Sequence, residues 1–318
     1  MRLPKSQSIW KTAAISGNKY LPNRMSSDFV DLHCHSTASD GTLSPTAVVR
    51  LAMERNLSAL ALTDHDTIAG VAEAAAEAGR VGIDFVPGIE VSAEYPHPGT
   101  MHLLGYGVDP QNPTLASLTD KLLAGRDDRN PRIIAKLQAL NISITMPEVE
   151  AEAGGKVIGR PHIAAILVRK GYVTSIKHAF DKYLAPGGLA YYDKERLSPK
   201  KAIGMILECG GLPVLAHPVQ LRYQNDGELE RVVKDLLDMG LAGIEVIHSD
   251  HNAHLVEQYV ALAERFGLIK TGGSDFHGAN KQIDLGNAAG RRIPRKFFDD
   301  LMTALRSRKS ASPMTNNQ

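Results

Sequence analysis

Short apolar runs alternate with amphipathic helical segments along most of this chain. Ser44-Pro45 has the form of a helix N-cap followed by proline at the first helical position, and it predicts a helix to about Asn56. The apolar run LSALAL follows and predicts a strand, and the same helix-then-strand order recurs three times between Ser198 and His277. Consecutive strands that are joined through helices run parallel. The alternation therefore predicts an α/β fold with a parallel sheet covered by helices.

Polar residues that can do chemistry follow the apolar runs, at the carboxyl ends of the predicted strands. The segments TDHD, AHP and SDFH all have this position, which is where barrels and open α/β sheets place their sites. With 318 residues, 43% of them hydrophobic, the chain is long enough for one α/β barrel that carries an insertion. No apolar run approaches the ~18 residues that a membrane span needs, so we expect no membrane association.

The helix–strand rhythm breaks between residues 108 and 190, where helical patterns follow one another with few strand-like runs. We interpret this stretch as a mainly helical insert that emerges from a barrel loop and caps the substrate. Residues 1–24 contain five basic residues, no acidic ones and no apolar signal-peptide core, which indicates a disordered or non-native extension. The predicted organisation is a barrel formed by residues 25–107 and 191–305, the insert, and a flexible tail over residues 306–318.

Histidines and carboxylates gather at the predicted strand ends. His33 and His35 lie two apart on a strand, so both side chains leave the same face and can chelate one metal, although such a pair can equally be structural. Asp64 beside His65 could orient a ligand histidine or simply cap its loop. The complete set of nine candidate metal ligands is His33, His35, Asp40, His65, Glu90, His102, His217, Asp275 and His277, all of which except His102 we also count as catalytic.

This mixture of ligands indicates the metals and the reaction. Imidazole nitrogen and carboxylate oxygen suit divalent ions such as Mn²⁺, Zn²⁺ or Fe²⁺, and a structural zinc site would need only four ligands. Nine ligands exceed the needs of one or two ions unless a carboxylate such as Glu90 bridges, so three ions is the economical number. Clusters of this kind lower the pKa of bound water and clamp the oxygens of a phosphoryl group. The predicted reaction is therefore hydrolysis of a phosphate ester by metal-activated hydroxide.

The motifs HCH, TDHD, AHP and SDFH, in that order on alternating strands, resemble the four signature motifs of the PHP (polymerase and histidinol phosphatase) superfamily. The resemblance covers residues 28 to about 305. It implies a distorted (β/α)7 TIM-like barrel with a trinuclear site, and all nine candidate ligands fall on ligand positions of the superfamily. His97 lies close to His102 in the sequence and is the alternative at that ligand position.

Within that superfamily, residues 108–190 resemble the insert of the branch that hydrolyses nucleoside 3′,5′-bisphosphates and trims RNA from its 5′ end. Guanidinium groups grip phosphate through paired hydrogen bonds, so basic side chains of the insert are candidate substrate contacts. Ordinary ion pairing with Asp127 and Asp128 is the competing explanation, and for Arg132 we prefer it. The candidate substrate-binding residues are Arg126, Arg129, Arg160, His162 and His248, the last at a strand end on the barrel mouth.

The sequence thus predicts a phosphoesterase that removes the 3′-phosphate of nucleoside 3′,5′-bisphosphates and, by extension, trims short RNA 5′ to 3′. Mn²⁺ is the expected metal, with Zn²⁺, Fe²⁺ or Mg²⁺ as alternatives. Two other functions stay open: a phosphatase for another small phosphomonoester such as histidinol phosphate, or a phosphodiesterase; and a non-catalytic metal-binding PHP module. With only two cysteines, Cys34 and Cys209, the chain suits the cytoplasm. A nucleotide or short RNA is the expected partner, and no stable protein partner is implied.

Overall fold

The computed structural model describes residues 27–96, 98–153, 157–193 and 196–311. Within them, eight strands form one sheet in the order β7-β6-β5-β4-β3-β2-β1-β8. The strands are β1 (Phe29–Asp31), β2 (Ala59–Leu62), β3 (Asp84–Ala93), β4 (Met101–Tyr106), β5 (Leu212–Leu215), β6 (Gly243–Ile247), β7 (Ile269–Gly272) and β8 (Ile293–Pro294).

Helices surround the sheet and link its strands, as the sequence pattern predicts. Ser44 and Ser198 cap their helices by accepting hydrogen bonds from Ala47 N and Lys201 N. The helices are α1 (Pro45–Glu54), α2 (Val71–Val81), α3 (Pro113–Ala139), α4 (Met146–Ala153), α5 (Arg160–Arg169), α6 (Ile176–Ala179), α7 (Pro199–Glu208), α8 (Asp226–Asp238), α9 (Ala253–Phe266) and α10 (Arg295–Ala311). None of these helices is long and apolar enough to cross a membrane.

The sheet nearly closes into a barrel where the chain beyond β1 meets the chain beyond β7. Leu32 N donates to Gly272 O at 3.2 Å, and Asp275 N donates to His33 O at 2.8 Å. A side chain at Gly273 would lie 2.2 Å from His33 Cβ, so only glycine allows this close approach. The predicted α/β barrel is therefore confirmed, and its closure brings the segments after β1 and β7 together.

The predicted parallel sheet has two exceptions: β4 runs antiparallel to both β3 and β5, and β8 runs antiparallel to β1. A short connection joins β3 to β4, so the two strands form a hairpin rather than a helix-linked parallel pair. This reversal has a consequence for the site. His102, the second residue of β4, lies opposite Ser92 near the carboxyl end of β3, and so at the same end of the barrel as the other strand-end residues.

Helices α3 to α6 lie between β4 and α7 and have an apolar core of their own. Ile133, Leu137, Ile163 and Leu167 are buried together in it. The first half of α3 packs elsewhere, because Leu115 and Leu122 belong to the main apolar cluster of the barrel. One continuous helix therefore joins the two cores.

The carboxyl terminus differs from the expected flexible tail over residues 306–318, since α10 continues to Ala311. Leu305 is buried against Gly107, and Arg308 donates to Leu207 O at 2.9 Å, so two contacts hold the last turns on the barrel. Because the segment is polar in composition, these two contacts could not be predicted from the sequence. Residues 312–318 and the predicted extension 1–24 lie outside the described residues, as does His97.

Candidate metal centre

The structure brings all nine candidate ligands together at one mouth of the barrel. They come from the segments after β1, β2, β5 and β7 and from within β3 and β4. Seven of them are buried; only the side chains of His65 and His102 are partly exposed, at 15% and 21%. Side chains that are as much as 244 positions apart in the sequence therefore form a single cluster.

Glu90 lies at the middle of this cluster, with a different set of imidazoles around each carboxylate oxygen. Five histidine nitrogens surround it: His33 Nε2, His35 Nε2 and His65 Nδ1 lie 3.3, 3.2 and 2.9 Å from Oε2, and His102 Nδ1 and His217 Nε2 lie 2.7 and 3.0 Å from Oε1. Both oxygens of this carboxylate thus face imidazoles of candidate ligands.

Asp40 and Asp275 flank the cluster on either side of Glu90. Asp275 Oδ1 lies 3.2 Å from His35 Nε2, and Asp40 Oδ1 lies 3.3 Å from His277 Nε2. Four overlapping groups of side chains place ligand atoms within 4.8 Å of one another: His35, Asp40, His65 and His277; His33, His35, Glu90 and Asp275; His65, Glu90 and His102; and His33, Glu245 and His248.

Several buried polar atoms of the cluster have no hydrogen-bond partner among the described residues. They include His33 Nε2, both ring nitrogens of His35, His65 Nδ1 and Glu90 Oε2. Buried polar atoms are normally paired, and these five are also good metal donors. Such a set of donors fits divalent cations, which would satisfy the atoms together.

The electrostatics of the cluster keeps its carboxylates ionised. Burial opposes the charge of Glu90, but His65, His102 and His33 outweigh it and hold the pKa of this carboxyl well below its ordinary value. Burial lowers the pKa of His65 to about 4. Glu90 and Asp275 outweigh burial at His35 and raise its pKa to about 9, so a cation must displace a proton there.

Backbone geometry at the strand ends is unusual. His217 and Asp275 have φ of 25° and 59°, and Asp66, next to His65, has φ of 57°. Residues other than glycine seldom adopt positive φ, and such conformations concentrate at functional sites. The chain thus turns sharply where it presents these side chains to the barrel mouth.

Sequence reasoning missed Glu245, which is buried in β6 and supports two of the ligands. Its Oε1 lies 3.0 Å from His33 Nδ1, and its Oε2 accepts a hydrogen bond from His217 N at 2.8 Å. A carboxylate on the second ring nitrogen fixes the orientation and tautomer of a ligand histidine. A signal was present, because the apolar run GIEVI contains one acidic residue.

The contacts of Asp64 decide between the two roles that the sequence leaves open for it, orienting a ligand histidine or capping a loop. Its carboxylate accepts hydrogen bonds from Ser36 N at 2.7 Å, Ser36 Oγ at 2.8 Å and Ser39 Oγ at 2.6 Å. All three donors belong to the loop between His35 and Asp40. Asp64 therefore caps that loop, and the ligands at its two ends are fixed relative to each other.

Two side chains of the barrel contact Asp275 from outside the nine. His248, a candidate substrate contact, is buried with Nε2 3.4 Å from Asp275 Oδ2. Lys281 Nζ lies 2.5 Å from the same oxygen. Asp275 thus turns Oδ1 toward histidines of the nine candidate ligands and Oδ2 toward Lys281 and His248.

The basic side chains of the insert lie close to this mouth, but they differ in their contacts. Arg126 Nη2 donates to Asp66 Oδ2 at 2.7 Å in a buried ion pair. Arg129 donates to Asn130 Oδ1 at 2.8 Å and is buried. Arg132 is half exposed and pairs with Asp128 at 3.0 Å, which agrees with the preferred ion-pair explanation for this residue.

Arg160 and His162 lie in the first turn of α5, next to the centre. Arg160 Nη1 donates to Leu184 O at 2.9 Å, and His162 Nδ1 accepts from Gly159 N at 3.0 Å. A Cβ at Gly159 would lie 3.5 Å from Asp40 Cβ, so α5 begins beside a candidate ligand. Burial lowers the pKa of Arg160 to about 10.

Burial and the repulsion of its neighbours Arg126 and Arg160 hold the pKa of Arg129 well below its ordinary range. Three guanidinium groups are therefore close enough to repel one another. An anion bound between these guanidinium groups would relieve the repulsion.

Comparison with known proteins agrees with this geometry. The PHP domain family matches residues 31–239. A 3′,5′-nucleoside bisphosphate phosphatase of Chromobacterium violaceum is 39% identical over 250 residues, which cover 78% of this chain and 87% of that protein. A 5′-3′ exoribonuclease of Haemophilus influenzae is 37% identical over 257 residues, covering 80% and 92% of the two chains.

A solved structure from Bifidobacterium adolescentis, classed as a metal-dependent phosphoesterase, superposes with a TM-score of 0.78 at 30% identity. The match covers 86% of this chain and 95% of that one. The two proteins thus share one fold over most of their length. The chain belongs to the PHP domain family and is one of its metal-dependent phosphoesterases.

Proposed function

We propose that this protein hydrolyses the 3′-phosphate of nucleoside 3′,5′-bisphosphates and also trims short RNA from its 5′ end. One observation carries the proposal: the guanidinium groups of Arg126, Arg129 and Arg160 lie near one another and next to the barrel-mouth centre. A substrate with two phosphates could place one phosphate at the barrel-mouth centre and the other at the guanidinium groups. The bisphosphate phosphatase and exoribonuclease activities of the two relatives support the same substrates.

The nine ligands would hold three divalent ions, with Mn²⁺ as the proposed metal. The groups His35, Asp40, His65 and His277, then His33, His35, Glu90 and Asp275, and finally His65, Glu90 and His102 each bring three or four donors together. His217 would join through the Glu90 oxygen that it shares with His102. Bound ions would lower the pKa of a coordinated water and neutralise charge on the phosphoryl oxygens.

The chain's own side chains would position the rest of the substrate. Arg129 and Arg160 can each grip a phosphate through two N–H groups, and a dianion would offset their mutual repulsion. His162 accepts a hydrogen bond at Nδ1, so its neutral ring carries the proton on Nε2 and can donate to a phosphate oxygen. The second phosphate would thus anchor the nucleotide while the first lies at the centre.

Purified, Mn²⁺-loaded protein incubated with adenosine 3′,5′-bisphosphate or short 5′-phosphorylated RNA tests the proposal directly. We expect inorganic phosphate from the first and mononucleotides from the second. Release of neither product would defeat it. Turnover of a simple phosphomonoester alone would favour the small-metabolite phosphatase, and bound metal without any phosphoester hydrolysis would favour a binding module.

The role of the insert is tested by Arg129→Ala, with Arg132→Ala as the matched control on the same helix. Loss of a charge-assisted phosphate contact should lower kcat/KM for the bisphosphate by about tenfold to a hundredfold. Turnover of p-nitrophenyl phosphate, which has no second phosphate, should change little. Arg132 pairs only with Asp128 among the charged residues described, so its removal should leave both reactions unchanged. An equal loss on both substrates in Arg129→Ala would contradict the proposed second phosphate.

The cytosol is the proposed compartment. Cys34 and Cys209 are both buried free thiols, a state that a reducing environment preserves.

A further inference from the structure

Lys281 contacts the metal centre, although neither the motif pattern nor the comparisons give it a role. Its Nζ lies 2.5 Å from Asp275 Oδ2. The other oxygen of Asp275 faces the nitrogens of His35 at 3.2 Å and His33 at 3.6 Å. Lys281 therefore binds the oxygen that Asp275 turns away from these histidines.

The loop that carries Lys281 is fixed to the loop that carries Asp40. Asn280 Nδ2 donates to Asp40 O at 2.8 Å, and Ala279 N donates to Thr42 Oγ1 at 2.9 Å. These hydrogen bonds tie the turn before Lys281 to another ligand segment. Lys281 is thus held at the centre by the hydrogen bonds of its loop as well as by its ion pair with Asp275.

The ammonium of Lys281 also has unused hydrogen-bonding capacity. It carries three donors, and in the described part of the chain its one hydrogen-bond partner is Asp275. The side chain is 39% exposed. Two of its N–H donors are therefore available to a ligand.

The Lys281 ammonium forms an ion pair with Asp275. A compact ammonium is a common phosphate-binding group in proteins, where it acts as a point charge. A phosphoryl group bound at the centre would lie close to the candidate ligands, and Lys281 contacts one of them, Asp275.

We propose that Lys281 binds the scissile phosphoryl group, donating to a phosphoryl oxygen while Asp275 holds the ammonium in place. The inference rests on phosphoester hydrolysis and not on the bisphosphate substrate proposed above. It adds a protein cation to the charges that the metal ions supply at phosphorus.

The test measures inorganic phosphate binding to the Mn²⁺-loaded full-length protein by calorimetry. In Lys281→Met the Kd for phosphate should weaken by about tenfold to a hundredfold, with bound Mn²⁺ unchanged by elemental analysis. Lys281→Arg, which keeps the charge, should stay within about threefold of wild type. Lys270→Met is the matched control, because Lys270 forms a 2.7 Å pair with Glu264, also six residues away in sequence, and it should bind phosphate like wild type.

A phosphate Kd in Lys281→Met within about twofold of wild type would overturn the inference. Loss of bound Mn²⁺ together with phosphate would also overturn it, because Lys281 would then serve only to hold Asp275. Should Lys281→Met fail to fold, Lys281→Gln keeps a donor for Asp275 without the charge, and the same two criteria apply to it. Phosphate is the probe, so the result is independent of whether bisphosphates or RNA are turned over.

Discussion

At the scale of single residues, Glu245 shows how one buried carboxylate can organise a metal centre without being one of its nine candidate ligands. Both of its oxygens are used, one on the ring of His33 and one on the backbone of His217. His33 and the other imidazoles outweigh burial and lower the pKa of Glu245 to about 2, so the group stays ionised at neutral pH. The charge in β6 therefore stabilises the orientation of ligands from two other strands.

We expect Glu245→Gln to weaken Mn²⁺ binding by about tenfold to a hundredfold, because supporting carboxylates of ligand histidines have effects of that size. The substitution keeps the size of the side chain and removes its charge. Calorimetric Mn²⁺ titration measures the effect. Glu264→Gln, on the exposed partner of Lys270, is the control and should bind Mn²⁺ normally. An unchanged Mn²⁺ Kd in Glu245→Gln would show that His33 needs no such support.

Most of the nine candidate ligands could be identified because they follow a local pattern: a pair two residues apart on a strand, or a polar residue directly after an apolar run. Glu245 and Lys281 have no such pattern. Glu245 meets His33 across 212 residues of sequence, and the contact exists only because the barrel closes. Candidate ligands could therefore be identified from the sequence. The contacts that Glu245 and Lys281 make with them depend on tertiary structure.

At the scale of elements, the ion pair between Arg126 and Asp66 connects α3 with the segment that follows β2. Asp66 also accepts hydrogen bonds from Ser92 N at 2.9 Å and Ser92 Oγ at 3.3 Å. The side chains of Arg126 and Asp66 are only 8% and 0% exposed. A helix of the insert is thus bound to the residue next to His65 through a contact that excludes water.

Arg126→Met should lower the free energy of unfolding by about 3 kcal/mol, because it breaks a buried ion pair. Urea unfolding at neutral pH measures the change. Arg132→Met removes an exposed pair on the same helix and should cost less than about 1 kcal/mol. If Arg126 serves substrate alone, the two variants will unfold at the same urea concentration.

Local sequence predicts the start of some helices but not the direction of every strand, and the difference has a physical reason. Ser44 and Ser198 mark helix starts through local capping chemistry, and both helices begin there. The direction of β4 has no comparable local signal, because strand pairing depends on the length of a connection and on distant partners. His102 reaches the centre through that reversed strand, so its place was the hardest of the nine to predict.

At the scale of the whole molecule, one barrel carries the centre at its mouth and a second apolar core lies in the insert. The alternation of helices and strands predicted the barrel, and the loss of that alternation predicted the helical stretch. How the insert meets the barrel was not predictable. That arrangement depends on Leu115 and Leu122 packing on the barrel core and on the pair between Arg126 and Asp66.

Metal removal should destabilise the entire fold, because the cluster buries ionised carboxylates and imidazoles that hydrogen bonds do not fully satisfy. A ligand present at about one hundred times its Kd contributes roughly 2.7 kcal/mol, so EDTA should lower the Tm by roughly 5 °C relative to Mn²⁺-saturated protein. Excess Mn²⁺ should restore the Tm. In Glu90→Ala, which lacks the central carboxylate, the difference between EDTA and Mn²⁺ should nearly vanish. If EDTA removes all bound metal from the wild type and the Tm stays constant, the cluster is stable without cations and the ions contribute nothing to folding.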